Sequence, residues 1–188
     1  MDVVHTWGST PEERTESYAC ERYLTAPYDA CFRAIDVAAS VSLTFRWLCQ
    51  MRVAPYSYDW IDNFGRQSPQ QRDPKNEQLE AGQRWMRIFR LVEFERDRHL
   101  TLVIDGTKAF GSVAVTYAVR PVPAGSRIVV KLIFRVGRWS LRRWVLPLGD
   151  LIMMRKQLIH FKTLAEREYA AAQSVLASPE ADVASSHR

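Results

Sequence analysis

The clearest period in the chain lies in "LPLGDLIMMRKQLIHFKTLAEREY", Leu146 to Tyr169. Leu151, Met154, Leu158, Phe161 and Ala165 recur at steps of three and four, which makes one apolar stripe of a long amphipathic helix. Ser140 is a candidate cap for a preceding turn, and Pro147 would kink the helix or restart it. Upstream the period shortens to two. Val113, Val115, Tyr117 and Val119 alternate with Ser112, Ala114, Thr116 and Ala118. Ile128, Val130, Leu132, Phe134 and Val136 alternate in the same way with Arg127, Lys131 and Arg135. Joined by "PVPAGS", the two segments read as a hairpin of an antiparallel sheet with one apolar and one wet face. "QRWMRIFRLVEFE" and "HLTLVID" read as the strands before it.

The N-terminal half is less regular. "RTESYACERYLTA" is rich in strand formers. In "APYDACFRAIDVAASVSLTFRWLCQM", Pro27 suits a first helical turn and Phe32, Ile35, Phe45 and Leu48 sit at helical spacing. The spacing predicts two short helices broken near Ala39-Ser40. "RVAPYSYDW" reads as extended, and residues 61–82 are polar, proline-bearing and without an apolar period, so they form a loop, either a lid or an insertion. Residues 1–13 read as a flexible arm, 14–170 as a single domain, and 171–188 as a flexible tail. A sheet with one apolar face and one long amphipathic helix buries both by curling the sheet around the helix. The expected class is α+β: a curved antiparallel sheet wrapped around a long C-terminal helix, with two short helices after the first strand.

Composition narrows the class without changing it. The 188 residues suit one domain, and 47% hydrophobic with 25% charged is ordinary for a soluble globular chain. No apolar run reaches 18 residues and the N-terminus has no secretory pattern, so a cytoplasmic protein is expected. Cys20, Cys31 and Cys49 make an odd count without a CxxC pair, which fits buried reduced thiols. The net charge of +5 is uneven: Arg135, Arg138, Arg142 and Arg143 cluster around Trp139 and Trp144. His5, His99, His160 and His187 are scattered, and no HExxH or glycine-rich phosphate loop occurs, so neither a metal nor a cofactor is expected. By spacing, His160 falls on the polar side of the last helix.

The order of elements, with "APYSYDW", "GQRWMRIFRLVEFE" and "MMRKQLIHFKTLAERE", resembles the START-like superfamily. That superfamily is also called SRPBCC, the polyketide cyclase/dehydrase and lipid-transport proteins. The resemblance spans roughly Thr15 to Tyr169. It implies a helix-grip fold around a deep apolar cavity that takes lipids, sterols, polyketides or plant hormones, with cyclisation or dehydration in some members. No catalytic residue carries across by motif.

Within such a frame the candidate liners are Met154, Leu158 and Phe161 from the helix, and Val115, Tyr117, Leu132 and Phe134 from the strands. Plain core packing would use the same residues. Arg155 stands out because its helical neighbours Leu151, Ile152, Leu158 and Ile159 are apolar. A buried guanidinium needs an anion, here Asp59, Glu93, Asp105 or a ligand carboxylate or phosphate; otherwise it snorkels to water. Tyr58 and Asp59 could supply a polar contact or an acid and base. Three functions follow. The first is binding of a hydrophobic or amphipathic small molecule in an internal cavity. The second is a cyclase, aromatase or dehydratase using Tyr58 or Asp59 near Arg155, although the expectation leans against catalysis. The third is an anionic membrane surface met through Arg138, Arg142 and Arg143, nucleic acid being the less expected partner.

Overall fold

The computed structural model describes residues 3–57, 68–86, 88–107, 111–135 and 142–177, with side chains throughout except at 3, 105–107, 111, 142–150 and 177. Six antiparallel strands form one sheet in the order β1-β6-β5-β4-β3-β2. They are β1 (Asp29–Val37), β2 (Arg84–Trp85), β3 (Phe89–Glu95), β4 (His99–Thr107), β5 (Gly111–Val122) and β6 (Gly125–Arg135). The helices are α1 (Val3–Thr6), α2 (Pro11–Thr15), α3 (Val41–Cys49) and the long α4 (Arg142–Ala177). Register shifts at Leu91/Glu93 and Ile104/Thr107 break the ladders on the β2 side, where bulges bend strands and help the sheet curve. The sheet carries α4 on its concave side, a helix-grip arrangement.

The central hairpin is as the alternation predicts. Val113, Val115, Tyr117 and Val119 pair with Phe134, Leu132, Val130 and Ile128. All eight belong to the core that α4 closes with Met154, Leu158, Phe161, Leu164 and Ala165. Gly125 opens β6 with φ of +137°, and a Cβ there would lie 2.4 Å from the Val37 carbonyl oxygen. Only glycine fits that turn.

Two expectations for the N-terminal half are corrected. Residues 29–37, expected in the first of two helices, form β1. Both faces of this strand are covered: Cys31, Ile35 and Val37 join the core under α4, while Phe32 and Ala34 join a second cluster on the outer face. Apolar residues on both sides erase the period of two, and the Phe32–Ile35 spacing then mimics a helix. The expected break at Ala39-Ser40 is the start of α3, where the Ser40 hydroxyl accepts a hydrogen bond from the Leu43 N–H. The second expected helix is α3 itself, which carries Phe45 and Leu48, and a single-turn 3₁₀ segment, Gln50–Arg52, follows it.

"RTESYACERYLTA" forms no strand. It holds the end of α2 and a 3₁₀ turn at Ala19–Arg22, lying against the sheet's outer face. Tyr18, Cys20 and Leu24 pack there with Phe32, Val103, Ala114, Ala118, Val129 and Ile133. The Cys20 N–H donates to the Thr116 hydroxyl rather than to a strand carbonyl. The face expected to be wet is therefore roofed by the chain's own N-terminal segment. Residues 3–13 lie against the sheet: the Ala34 N–H donates to the Trp7 carbonyl, and Thr10 with Glu13 closes a capping box at α2. Gly8 makes the close approach possible, since a Cβ there would fall 2.0 Å from the Ala34 carbonyl oxygen. At the other end α4 continues through 171–177, where a tail was expected, with Val175 and Leu176 exposed.

Ion pairs fasten this N-terminal strap to the sheet. Glu13 binds Arg127 at 2.6 Å, Glu16 binds Arg120, Glu21 binds Lys131, and Arg22 binds Glu93. Burial pushes the Glu13 carboxyl up, but hydrogen bonds from Arg127 and the Thr10 N–H, with the guanidinium charge, outweigh it and hold the pKa below the usual glutamate value. A carboxylate with a depressed pKa adds stability above its unfolded-state pKa, and that stability is lost as pH falls through the folded value. Urea midpoints measured across the acid range should therefore fall steeply below the usual glutamate pKa, and Glu13→Gln should flatten that limb while lowering stability at neutral pH.

Candidate functional site

The stripe on α4 meets the concave face where it was expected to. Met154 is 9% exposed, Leu158 0% and Phe161 1%, and they share one core with Val115, Tyr117, Leu132 and Phe134. Two contacts set the helix direction. Lys162 Nζ donates to the Asp36 carbonyl at 2.7 Å, and the Ala38 N–H donates to Glu166 at 2.8 Å. They pin the C-terminal half of α4 beyond β1, whose Val37 stands opposite Ser126 at the start of β6. The Met154 end thus points toward Leu132, Phe134 and Val113.

One polar chain crosses this apolar interior. The Tyr117 hydroxyl donates to Gln157 Oε1 at 2.9 Å, and Gln157 Nε2 donates to the Pro55 carbonyl at 2.5 Å. Gln157 was not singled out in the sequence, although it stands three residues after Met154 and beside Leu158. A polar residue at that azimuth is the signal that would have found it. Tyr56 follows Pro55 with φ of +57° and is fully buried. Its ring meets Phe161 at 4.9 Å, His160 at 5.6 Å and Trp47 at 6.5 Å. His160 is half-buried rather than solvated: its Nδ1 lies 3.3 Å from the Tyr56 carbonyl and its Nε2 3.3 Å from Gln70 Nε2. Those contacts fit a ring that donates from Nδ1 and accepts at Nε2.

Arg155 is not the buried guanidinium that its neighbours suggested. It is exposed, with its guanidinium 5.6 Å from the centre of the Trp7 ring. Ile152 and Ile159 are themselves 49% and 39% exposed, so this apolar neighbourhood is the outer flank of the helix. Of its candidate partners, Asp59 and the Asp105 side chain lie outside the description, as does Tyr58. Glu93 instead pairs with Arg22 and hydrogen-bonds Tyr23. The buried arginine is Arg33, 0% exposed, on β1 opposite Val130, with Nη1 donating to the Phe32 carbonyl at 2.8 Å. Reading 27–39 as helix hid it. Asp29, half-buried, shares its strand parity and stands opposite Phe134.

Open cavities occur elsewhere. One of about 530 Å³ runs between Gln70–Pro74 and α4, beside Trp47, Arg167 and Glu168. Two of about 350 and 360 Å³ flank the strap on the outer face. Arg72 clamps Glu168 in the first, at 2.7 Å, and also binds Glu77. Burial raises the Cys20 pKa and pushes Cys49 up to about 12, which disfavours the thiolate at both. Among the described residues no cluster of His, Cys, Asp or Glu could hold a metal ion. No described helix is long and apolar enough to cross a membrane.

No family model and no curated protein matches the sequence. Among solved structures the chain is similar to protein MLL2253 from Mesorhizobium loti, at 16% identity and TM-score 0.48 over 74% of this chain and 98% of that one. It is also similar to the di-domain ARO/CYC StfQ from the steffimycin biosynthetic pathway, at 11% identity and TM-score 0.48 over 75% of this chain and 51% of that one. CalU16 from Micromonospora echinospora matches at 14% identity and TM-score 0.43 over 79% and 92%. The helix-grip assignment itself rests on the strand register and helix seating described above.

The two arginines separate in energetic cost. Arg33→Ala removes a fully buried side chain and should destabilise by about 3 kcal/mol or more. Arg155→Ala loses an exposed ring contact and should cost less than about 1 kcal/mol. Chemical denaturation of both variants checks the order.

Proposed function

We propose that the chain binds an apolar or amphipathic small molecule, of lipid, polyketide or aromatic type, between α4 and the concave face of β5 and β6. The observation that supports this most is the burial gradient along that face. At one end Ala165, Leu158, Ile128 and Val130 are 0% exposed. Toward the other end Met154 and Leu132 are 9% exposed and Leu151 and Val113 half-buried, while Phe134 between them stays at 3%. The looser end is the natural mouth. Met154 suits it, because a thioether on an unbranched chain adapts to irregular guests.

The polar groups have complementary places. Tyr117 and Gln157 lie deep, where a guest oxygen could accept from the hydroxyl or receive the amide N–H in exchange for an existing bond. Asp29 stands at the looser end, opposite Phe134, at a height suited to the polar end of an amphipathic guest. A catalytic version would need an acid and a base converging on the guest, and Tyr58 and Asp59 remain the proposed candidates for it. Arg155, on the outer flank, would contribute to neither role from its present position.

Binding only the native state adds stability by mass action, roughly 2.7 kcal/mol at a hundredfold excess over Kd. A thermal-shift panel of fatty acids and fused-ring aromatics should raise Tm for at least one class. Met154→Trp, which fills the mouth, should remove that rise while the variant still melts cooperatively. A panel without any shift, or one in which Met154→Trp responds as the parent does, would overturn the reading.

A further inference from the structure

We propose that the outer flank of α4 docks on the surface of an anionic lipid bilayer. The flank presents Ile152 at 49% exposure, Met153 at 38% and Ile159 at 39%. At 100° per residue, Ile152, Lys156, Ile159 and Thr163 fall in one narrow arc, opposite the buried Met154, Leu158 and Phe161. A single exposed aliphatic side chain on a surface needs no explanation. Two isoleucines in line, with a lysine between them and an adjoining methionine, form a ridge that stays exposed among the described residues.

Charge decides what would cover it. Lys156 lies in the ridge and Arg155 beside it, both exposed, and no acid occurs between Leu151 and Ala165. Arg138, Arg142 and Arg143 precede them in sequence, with side chains outside the described residues. Trp139 and Trp144 fall in the same stretch, and such side chains favour the boundary between headgroups and acyl chains. A second copy docked by a two-fold axis would set this cationic stretch against itself, which opposes pairing. A nucleic acid would reward the cations but leave Ile152, Met153 and Ile159 in water. An anionic bilayer uses both features: headgroups meet the cations and the interface takes up the aliphatic ridge. The proposal stands whether or not the concave face holds a guest.

Vesicle co-sedimentation of the full chain tests it. The protein should pellet with mixed phosphatidylcholine/phosphatidylglycerol vesicles at low salt, stay in solution with phosphatidylcholine alone, and be released as salt is raised. Lys156→Gln should weaken association about fivefold. Ile152→Ser with Ile159→Ser should weaken it by about tenfold or more, with Tm close to that of the parent because both sites are exposed. Three results would overturn the proposal: a parent protein that ignores anionic vesicles at low salt, an Ile152/Ile159 double variant that pellets as the parent does, or a concentration-dependent dimer that the same substitutions abolish. Retention on duplex DNA in place of vesicles would reassign the flank to nucleic acid and overturn it equally.

Discussion

The hydrogen bond from the Tyr117 hydroxyl to Gln157 ties three separate parts of the chain together inside a largely apolar core. Tyr117 is the middle of the central hairpin, Gln157 the buried side of α4, and the Pro55 carbonyl, which Gln157 also reaches, the segment after α3. The Tyr117 hydroxyl and the Gln157 amide are buried, so each costs about 1–3 kcal/mol if left without a partner. That penalty fixes the rotation and height of α4 on the sheet more tightly than an apolar stripe can, because aliphatic contacts tolerate a slide that a hydrogen bond does not. Lys162 and Glu166 then hold the far end of the helix at Asp36 and Ala38. The burial gradient toward Met154 and Leu132 follows from this seating.

The outer face obeys a different logic. A sheet gripping one helix ordinarily needs only one apolar face, yet here Phe32, Val103, Ala114, Val129 and Ile133 form a second apolar layer. The N-terminal strap buries it, and its carboxylates neutralise the cations that sit around that layer. Lys131 shows the coupling: it is 5% exposed, paired with Glu21, and lies 5.5 Å from the Tyr18 ring and 5.2 Å from the Phe32 ring. A lysine this enclosed is tolerable only with such an escort.

This double coverage explains what the sequence could and could not reveal. β5, β6 and α4 were legible because each keeps a clean period, and the fold class followed from them. β1 was misread because both of its faces are apolar, and the strap was misread as a strand because it is rich in strand-forming residues that in fact pack face-on against a sheet they do not extend. The site divides the same way. Period alone placed Met154, Leu158, Phe161, Val115, Tyr117, Leu132 and Phe134 in the core between α4 and the sheet, where the proposed guest would lie. Arg155 was overrated because apolar neighbours at helical spacing do not say which side of the helix they occupy. Gln157 and Arg33 were missed, the first as a polar residue in an apolar stripe and the second through the error over β1.

The seating of α4 by its buried polar bridge is open to direct measurement through a double-mutant cycle. Urea titrations of the parent, Tyr117→Phe, Gln157→Leu and the combined variant isolate the pair, since the lost Pro55 bond appears in both variants at 157 and cancels. The account requires a coupling of about 1 kcal/mol or more, with the double variant less damaged than the two single losses added together. Strict additivity would contradict it, and would mean that α4 is held on the sheet by its apolar stripe alone.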